Sequence, residues 1–252
     1  MKKDHILVIR FSALGDVAMT VPVVYALAKT YPDLRITVLS RGFAKAFYEN
    51  LAPNVSFMEA DLKNEYKGVK GLNALYRRLA AKHFTAVADL HSVLRSDYLR
   101  LRFNFSRYKV AHIKKYRKGR RDLTSINHKL LVQQPTSFKK YADVFSKLGY
   151  PINPQLESIF PPEGGDISSL PAVIGQKKDG ERWIGIAPFA AHEGKIYPLD
   201  LMKQVVDQLL EQHPGSRVFL FGRGKKEDET FAAWCDDKTE CVNVAKHVDG
   251  MR

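Results

Sequence analysis

The sequence has little cysteine and no long apolar run. Its 252 residues include only two cysteines, Cys235 and Cys241, which lie close together and have no further cysteine to pair with. We therefore expect two thiols of a reducing compartment and not a disulfide or a metal clamp. No apolar run reaches the roughly 20 residues that cross a bilayer, and the charged start at residues 1–5 does not fit a secretory signal. These features predict a soluble, cytosolic protein.

The sequence also lacks two glycine-rich phosphate-binding patterns at its first predicted strand. Residues 12–16, which follow that strand, read Ser-Ala-Leu-Gly-Asp. They match neither the G-x-G-x-x-G fingerprint nor the Walker pattern. A dinucleotide site or a P-loop of the usual kind is therefore excluded at this position.

Positive charge is abundant and concentrated in one region. The net charge is +13, and the range Arg95–Arg121, with eleven Lys/Arg and the single acid Asp97, accounts for +10 of it. Such a patch predicts an anionic partner: a phosphorylated glycolipid, an acidic membrane surface or nucleic acid. Five aromatic residues lie among these charges, a pattern that also suits single-stranded nucleic acid; they are Tyr98, Phe103, Phe105, Tyr108 and Tyr116. Phe103 and Tyr108 could equally be core residues.

Short β-rich runs alternate with helical apolar spacing along the chain, which predicts βαβ units and parallel sheets. We expect an N-terminal Rossmann-like domain over residues 1–155, a Pro/Gly-rich linker over 156–180 and a second Rossmann-like domain over 181–252. The second domain has three predicted strands, where a doubly wound domain normally has five or six. We therefore expect this domain to be truncated at its C-terminal end.

The loop Ser12–Asp16 is the first candidate site. It follows the predicted strand His5–Arg10, and ligands of open parallel sheets bind at the carboxyl ends of strands. Gly15 permits a tight turn, and Asp16 stands before a helix predicted from Val17 to Tyr31. Asp16 could serve as a reactive carboxylate, or it could only cap that helix.

Other candidates follow later strands. Arg95, after the predicted strand Thr85–Leu90, suits a carboxylate or phosphate; the alternative is a helix cap at Ser92 and a solvated Arg95. Lys195 precedes a helix start at Pro198 and could equally be a solvated lysine. Glu227 follows a βα turn of the second domain.

Four segments resemble glycosyltransferase family 9, the lipopolysaccharide heptosyltransferases. Ile9–Pro22 resembles the family's opening, hydrophobic-Arg-x-Ser-x-hydrophobic-Gly-Asp-hydrophobic-x-x-Thr-x-Pro. Asp89–Ser96 is similar to a second motif, and Lys195–Pro198 stands where the family has Lys-x-Trp-Pro. Phe221–Gly224, followed by Glu227, is the fourth match. The matches occur in the family's order over nearly the whole chain.

The resemblance implies a GT-B fold, in which two Rossmann-like domains face a cleft with the acceptor on the first and the nucleotide sugar on the second. It implies inverting transfer of a heptose from an ADP-sugar to the lipopolysaccharide inner core, without a metal or other cofactor, at the cytoplasmic face of the inner membrane. Asp16 would be the general base, and Lys195 would neutralise the departing diphosphate.

The resemblance also implies binding residues. On the acceptor side these are Ser12, Gly15, His91, Ser92, Arg95, Ser96, Lys114, Lys115, Arg117 and Arg120. The last four belong to a basic run, Lys114–Arg121, which we expect to be a mobile loop contacting phosphates, Kdo carboxylates or the anionic membrane face. On the donor side they are Ala190, Ala191, Lys195, Gly222 and Glu227.

Two departures from the family concern the donor half. Pro188–His192 replaces a Pro-Gly-Ala-Ser-like loop, so Ala190 and Ala191 can offer only backbone amides to a phosphate. The family's Asp-Ser-Gly-x-x-His segment has no counterpart here and would be expected beyond Arg252. The alternatives are a non-enzymatic binder of anionic polymer, nucleic acid included, or a relative that transfers another sugar.

Overall fold

A computed structural model describes residues 4–155, 158, 170–245 and 247. These residues fall into two compact units, one within Met1–Pro161 and the other within Pro162–Arg252. Residues 156–157 and 159–169 of the predicted linker lie outside the described part of the chain. The predicted domain boundaries therefore stay predictions.

The first unit is built on a parallel five-stranded sheet. Its strands are β1 (His5–Ile9), β2 (Arg35–Ser40), β3 (Val55–Glu59), β4 (Ala86–Asp89) and β5 (Lys109–His112), in the order β3-β2-β1-β4-β5. Its helices are α1 (Leu14–Ala18), α2 (Val21–Thr30), α3 (Lys45–Tyr48), α4 (Gly68–Ala80), α5 (Leu94–Phe105), α6 (Arg117–Thr124) and α7 (Ser137–Lys147).

Helices cover both faces of this sheet at its central strand, β1. All five of its residues are buried, as expected of a parallel strand covered on both sides. Ile6 and Val8 belong to one apolar cluster, and Leu7 and Ile9 belong to another. This alternation follows the two-residue period of a strand. It places the carboxyl end of β1, and the loop that follows, in the middle of one sheet edge.

The second unit contains a parallel three-stranded sheet, ordered β6-β7-β8, among its described residues. The elements are β6 (Arg182–Ile186), α8 (Leu199–Gln212), β7 (Ser216–Leu220), α9 (Lys225–Trp234) and β8 (Cys241–Asn243). One core cluster includes Val206, Val218 and Phe231. In a second core cluster, Ile174 packs with Phe219. Ile174 belongs to the predicted linker.

One predicted helix and one predicted loop were wrong. The helix expected from Val17 to Tyr31 is divided into α1 and α2 at Thr20, whose hydroxyl donates to the Val17 carbonyl at 2.7 Å. The basic run expected to be a mobile loop is instead partly helical, as α6. Because α6 buries none of its residues, it has no apolar periodicity that could have revealed it.

The cysteine prediction was also wrong. Cys235 and Cys241 form a disulfide, with their Cα atoms 4.9 Å apart. Cys235 lies just after α9 and Cys241 begins β8, so the short connection between these elements brings the two cysteines within bonding distance.

Within the described ranges, no helix combines the length and the apolar content needed to cross a bilayer.

Candidate functional site

A buried arginine holds the loop that follows β1. Arg10 leaves the sheet at the end of β1, and its guanidinium Nη1 donates to the Leu90 carbonyl oxygen at 2.7 Å. Its Nη2 lies 2.6 Å from Asp16 Oδ2, and its side chain is only 9 % exposed. The arginine therefore ties the loop after β1 to the chain leaving β4, and it fixes the Asp16 carboxylate.

Asp16 lies in the first turn of α1 and is not its cap. The capping position is Ala13, which makes no side-chain capping bond, so the capping interpretation of Asp16 was wrong. The Asp16 side chain is 44 % exposed. From α7, the Tyr141 hydroxyl donates to the Asp16 backbone carbonyl at 3.4 Å. The carboxylate is thus held from its own loop and is still open to a ligand.

His91 lies beside this ion pair. Its Nδ1 accepts the Phe11 backbone N–H at 3.4 Å, which leaves Nε2 to carry the proton and face the Ser12 hydroxyl at 3.5 Å. Burial, aided by the charges of Arg10 and Lys115, lowers the pKa of His91 to about 4. The ring is therefore neutral at neutral pH. The structure thus brings Ser12 and His91 together with Asp16 at one sheet edge.

A buried carboxylate shapes the loop between β4 and α5. Asp89 Oδ1 accepts the backbone N–H groups of His91 and Ser92, each at 2.9 Å. Burial raises the pKa of Asp89 against the lowering effect of these two bonds. The Ser96 hydroxyl accepts the Val93 N–H at 3.0 Å. The cap of α5 is Val93, so the alternative that placed the cap at Ser92 was wrong.

The remaining acceptor-side candidates lie further from the ion pair or at the surface. Arg95 is exposed on α5, and Lys114, Arg117 and Arg120 are exposed around the start of α6. Lys115 is half-buried and is close enough to His91 to lower its pKa. Gly15 is exposed, and a Cβ there would meet no atom within 4 Å. No steric constraint therefore explains this glycine.

The aromatic residues of the basic region divide into core and surface. Phe103 is fully buried and packs against Tyr108, with ring centroids 5.0 Å apart. Phe105 is largely exposed, and Tyr116 lies against the ammonium groups of Lys114 and Lys140. Phe103 is thus unavailable for stacking on bases and Tyr108 is partly covered, which weakens the nucleic-acid interpretation.

The donor-side candidates share one sheet edge of the second unit. Ala190, Ala191 and Lys195 follow β6 and are exposed. Gly222 and Glu227 follow β7, which pairs with β6. Because parallel neighbours end at the same edge, the two loops are adjacent, and Phe189 packs on Phe231 of α9 between them, with centroids 5.5 Å apart.

Glu227 has a clear local role. Its Oε2 accepts the Arg223 backbone N–H at 2.7 Å, and a Cβ at Gly222 would lie 2.5 Å from the same oxygen. The carboxylate therefore closes the turn after β7, and glycine at 222 makes room for it.

The described part of the chain also has surface depressions away from the candidate loops. No three His, Cys, Asp or Glu side chains in that part of the chain gather closely enough to hold a metal ion. A depression of about 580 Å³, lined by residues such as Lys178, Gly215 and Glu240, lies at the amino ends of β6 and β7. That is the end of the sheet opposite to Lys195.

Sequence reasoning assigned no role to three residues of the site. Arg10 carried a usable signal, since a charged residue at the end of an otherwise apolar central strand needs a partner. Asp89 begins the motif Asp89–Ser96, but its bonds to the loop amides cannot be read from the sequence. Tyr141 reaches Asp16 across 125 residues of chain, and nothing in the sequence signals that contact.

No protein-family model matches the sequence, and no curated protein matches it. Solved structures do. A glycosyl transferase family 9 protein from Veillonella parvula is 19 % identical at a TM-score of 0.67, over 96 % of this chain and 70 % of that one. The structure of the E. coli heptosyltransferase WaaC with ADP is 15 % identical at a TM-score of 0.66, over 97 % of this chain and 76 % of that one.

A third similar structure belongs to another type of enzyme. A putative UDP-N-acetylglucosamine 2-epimerase from Listeria monocytogenes is 11 % identical at a TM-score of 0.51, over 99 % of this chain and 70 % of that one. At these identities the likeness shows the fold. The chain therefore has an α/β fold with parallel sheets that is also found in solved glycosyltransferases.

Proposed function

We propose that the chain is an inverting, metal-independent glycosyltransferase. It transfers a heptose or a related sugar from an ADP-sugar to the inner core of lipopolysaccharide. The observation that carries this proposal is the half-exposed Asp16 carboxylate, held by the buried Arg10 at the carboxyl end of β1. The four motif matches and the fold shared with solved glycosyltransferases support it.

In the proposed reaction, Asp16 is the general base. It accepts the proton of the acceptor hydroxyl while that oxygen attacks the anomeric carbon from the face opposite the nucleotide. The new C–O bond forms as the bond to the diphosphate breaks, so the configuration inverts. Arg10 positions the carboxylate, and His91, being neutral, adds no second cation to compete for it.

The donor half supplies positive charge and backbone donors. Lys195 stabilises the negative charge that develops on the departing diphosphate, in place of a metal. Ala190 and Ala191 offer backbone N–H groups to the phosphates. Gly222 borders the nucleoside, and Glu227 keeps the turn beside it closed.

The acceptor half supplies polar and basic groups for an anionic glycolipid. Ser12 and His91 lie beside Asp16, Ser92 follows His91 in the same loop, and the exposed Arg95 suits a phosphate or a carboxylate. The cations at residues 114–120 extend this surface. We place the activity at the cytoplasmic face of the inner membrane, where a lipid-linked acceptor is held.

The substitution Asp16→Asn tests the base. It should lower the transfer rate by about 10²–10⁴-fold, the usual contribution of a general base, while nucleotide binding and the melting temperature change little. Asp143→Asn is the matched control, because Asp143 is also a surface carboxylate paired with a cation, Lys139. Turnover retained in Asp16→Asn would remove Asp16 as the base.

Nucleotide-dependent melting tests the donor. A ligand at 100 times its Kd stabilises the folded state by about 2.7 kcal/mol, so ADP should raise the melting temperature more than UDP or GDP at equal concentration. A larger shift with UDP would contradict an ADP-sugar donor and would leave the role of Asp16 to be judged by the substitution.

A further inference from the structure

Large aliphatic side chains are exposed just after α6. They are Ile126, Leu130, Leu131 and Val132, with exposed fractions of 97, 57, 80 and 62 %. Single exposed apolar residues are common, but a cluster of four within seven residues is typical of a surface that contacts another apolar phase.

This aliphatic stretch folds back onto the basic helix. The Leu130 N–H donates to the Asp122 carbonyl at 3.0 Å, next to the C-terminal end of α6. Further along, the Gln134 side chain lies so close to Gly119 that a Cβ there would clash with its Oε1. Residues 117–132, which we name the docking segment, therefore place the aliphatic loop beside α6.

The docking segment is also strongly basic. Its five cations are exposed: Arg117, Lys118, Arg120, Arg121 and Lys129. Asp122 is its one acid, so the net charge of the segment is +4. Within the described ranges, no carboxylate forms an ion pair with any of the five. The surface thus offers unneutralised cations next to apolar side chains.

We propose that the docking segment binds the surface of an anionic lipid bilayer. The aliphatic side chains enter the boundary of the acyl chains, and the cations contact lipid phosphates. Neither signal alone gives firm attachment, but apolar burial and a polybasic patch together do. A single-stranded nucleic acid fits less well, because its bases stack on aromatic side chains and residues 117–132 contain no Phe, Tyr or Trp.

The position of the segment connects it to the candidate site. It follows β5, whose carboxyl end lies at the same sheet edge as the ends of β1 and β4. A bilayer bound there would present a lipid-linked acceptor to the edge that carries Asp16. Only this connection rests on the proposed function; the membrane contact does not.

Vesicle binding tests the segment. The full chain is sedimented with neutral phosphatidylcholine vesicles and with vesicles containing phosphatidylglycerol, and it should partition onto the anionic ones. The double substitution Ile126→Ser/Leu131→Ser should weaken that partition by at least about tenfold, given the apolar area removed. Val69→Ser, which removes a 66 % exposed aliphatic from α4, should not.

A charge reversal tests the contribution of the cations in the docking segment. Arg121→Glu should weaken binding by at least about fivefold, the equivalent of roughly 1 kcal/mol per cation near an anionic surface. Lys70→Glu on α4 is its control. In addition, Ile126→Trp should gain a blue-shifted emission on anionic vesicles, above the signal of the two native tryptophans.

Three results would overturn the proposal. One is equal binding of the wild type and the double serine variant. Another is tighter binding to single-stranded DNA than to anionic vesicles at the same salt concentration. The third is self-association that the double serine variant abolishes, since a second copy would then cover the segment. Transfer to a lipid-free, water-soluble acceptor should survive Ile126→Ser/Leu131→Ser and be lost in Asp16→Asn, which separates this proposal from the proposed function.

Discussion

The loops after β1 and β6 each follow the first strand of a parallel sheet, yet they are held differently. After β1, Asp16 is paired with a buried arginine that is itself bonded to the chain leaving β4. After β6, Lys195 is exposed, and no carboxylate in the described part of the chain pairs with it. The first loop is organised before any ligand binds, whereas the lysine of the second can be ordered by the ligand. Substitution of the buried arginine should therefore cost stability as well as activity, and substitution of the exposed lysine should cost activity alone.

Among the substitutions that compare the two loops, Lys195→Ala should give the largest effect and sharpen this contrast. Loss of a group that stabilises developing charge typically lowers kcat by about 10²–10³-fold, while the melting temperature should stay at the wild-type value because the side chain is exposed. The measurements are steady-state transfer kinetics and thermal unfolding. Lys178→Ala, at the opposite end of the second sheet, is the control and should keep full activity. A drop in melting temperature for Lys195→Ala would break the comparison.

Arg10→Met should destabilise the first unit by about 1–3 kcal/mol, because the Leu90 carbonyl loses its buried donor. The cost of the unpaired Asp16 carboxylate is smaller, since it is half-exposed to water. Transfer should also fall, because the carboxylate is no longer held in place. Both native tryptophans, Trp183 and Trp234, lie in the second unit, so their emission reports that unit and circular dichroism reports both.

The control for Arg10→Met is Arg35→Met at the amino end of β2, where the arginine contacts His5 at 3.0 Å and the residue is exposed. Denaturant unfolding should separate the two variants in the circular dichroism signal and leave the tryptophan transition unchanged. Wild-type stability in Arg10→Met would show that the arginine does not hold the loop.

Acidification should destabilise the first unit through its buried histidines. Burial is the main cause that lowers the pKa of His91 and of His5 to about 4 in the folded state, against about 6.5 when unfolded. As the pH falls from 6.5 towards 4, the unfolded chain takes up protons first, so stability present above pH 6.5 is lost across that window. We expect each histidine to account for about 1–2 kcal/mol between pH 7 and pH 5, after allowance for partial solvent access.

His91→Gln isolates one of these contributions. The free energy of unfolding, measured by urea titration at pH 7, 6 and 5, should fall less steeply in the variant than in the wild type. The raised pKa of Asp89 acts in the opposite sense at lower pH, which is why the difference between the two proteins is the quantity to compare. An identical slope would contradict a neutral, buried His91.

The sequence predicted the strands well, because period-two and continuous apolar runs are local signals. The predicted strands His5–Arg10 and Thr85–Leu90 lie within a residue of β1 (His5–Ile9) and β4 (Ala86–Asp89). Prediction from the sequence failed where the structure depends on contacts between distant residues or on purely polar contacts. The break at Thr20 is stabilised by a 2.5 Å bond between its hydroxyl and Tyr48, 28 residues away, and α6 has no apolar face to show.

The candidate site follows the same division. Asp16 and Lys195 were found because they stand in recognisable patterns at strand ends. The partners that hold Asp16 were not, because Arg10 and Tyr141 reach it, and Leu90 reaches Arg10, only after the sheet and α7 have assembled. The disulfide was missed for a similar reason, since the distance between two nearby cysteines depends on the path of the chain between α9 and β8.

Glu227→Gln should give the smallest effect and tests whether the second unit also contains a preorganised element. Because Glu227 accepts the Arg223 N–H and fits against Gly222, it belongs to the fold of the turn and not to the exposed groups near Lys195. The amide keeps an acceptor oxygen and loses only the charge, so stability should fall by about 0.5–1 kcal/mol. The KM for the donor should stay unchanged, in contrast to the activity lost in Lys195→Ala.

Glu229→Gln on the same helix is the control for Glu227→Gln, because its carboxylate forms only a surface pair with Lys225, which contributes little to stability. Tryptophan emission in denaturant should detect the Glu227 effect directly, since Trp234 ends α9. If Glu227→Gln instead raised the donor KM with stability unchanged, the carboxylate would contact the nucleotide. The contrast between a preorganised turn after β7 and an exposed loop after β6 would then be lost.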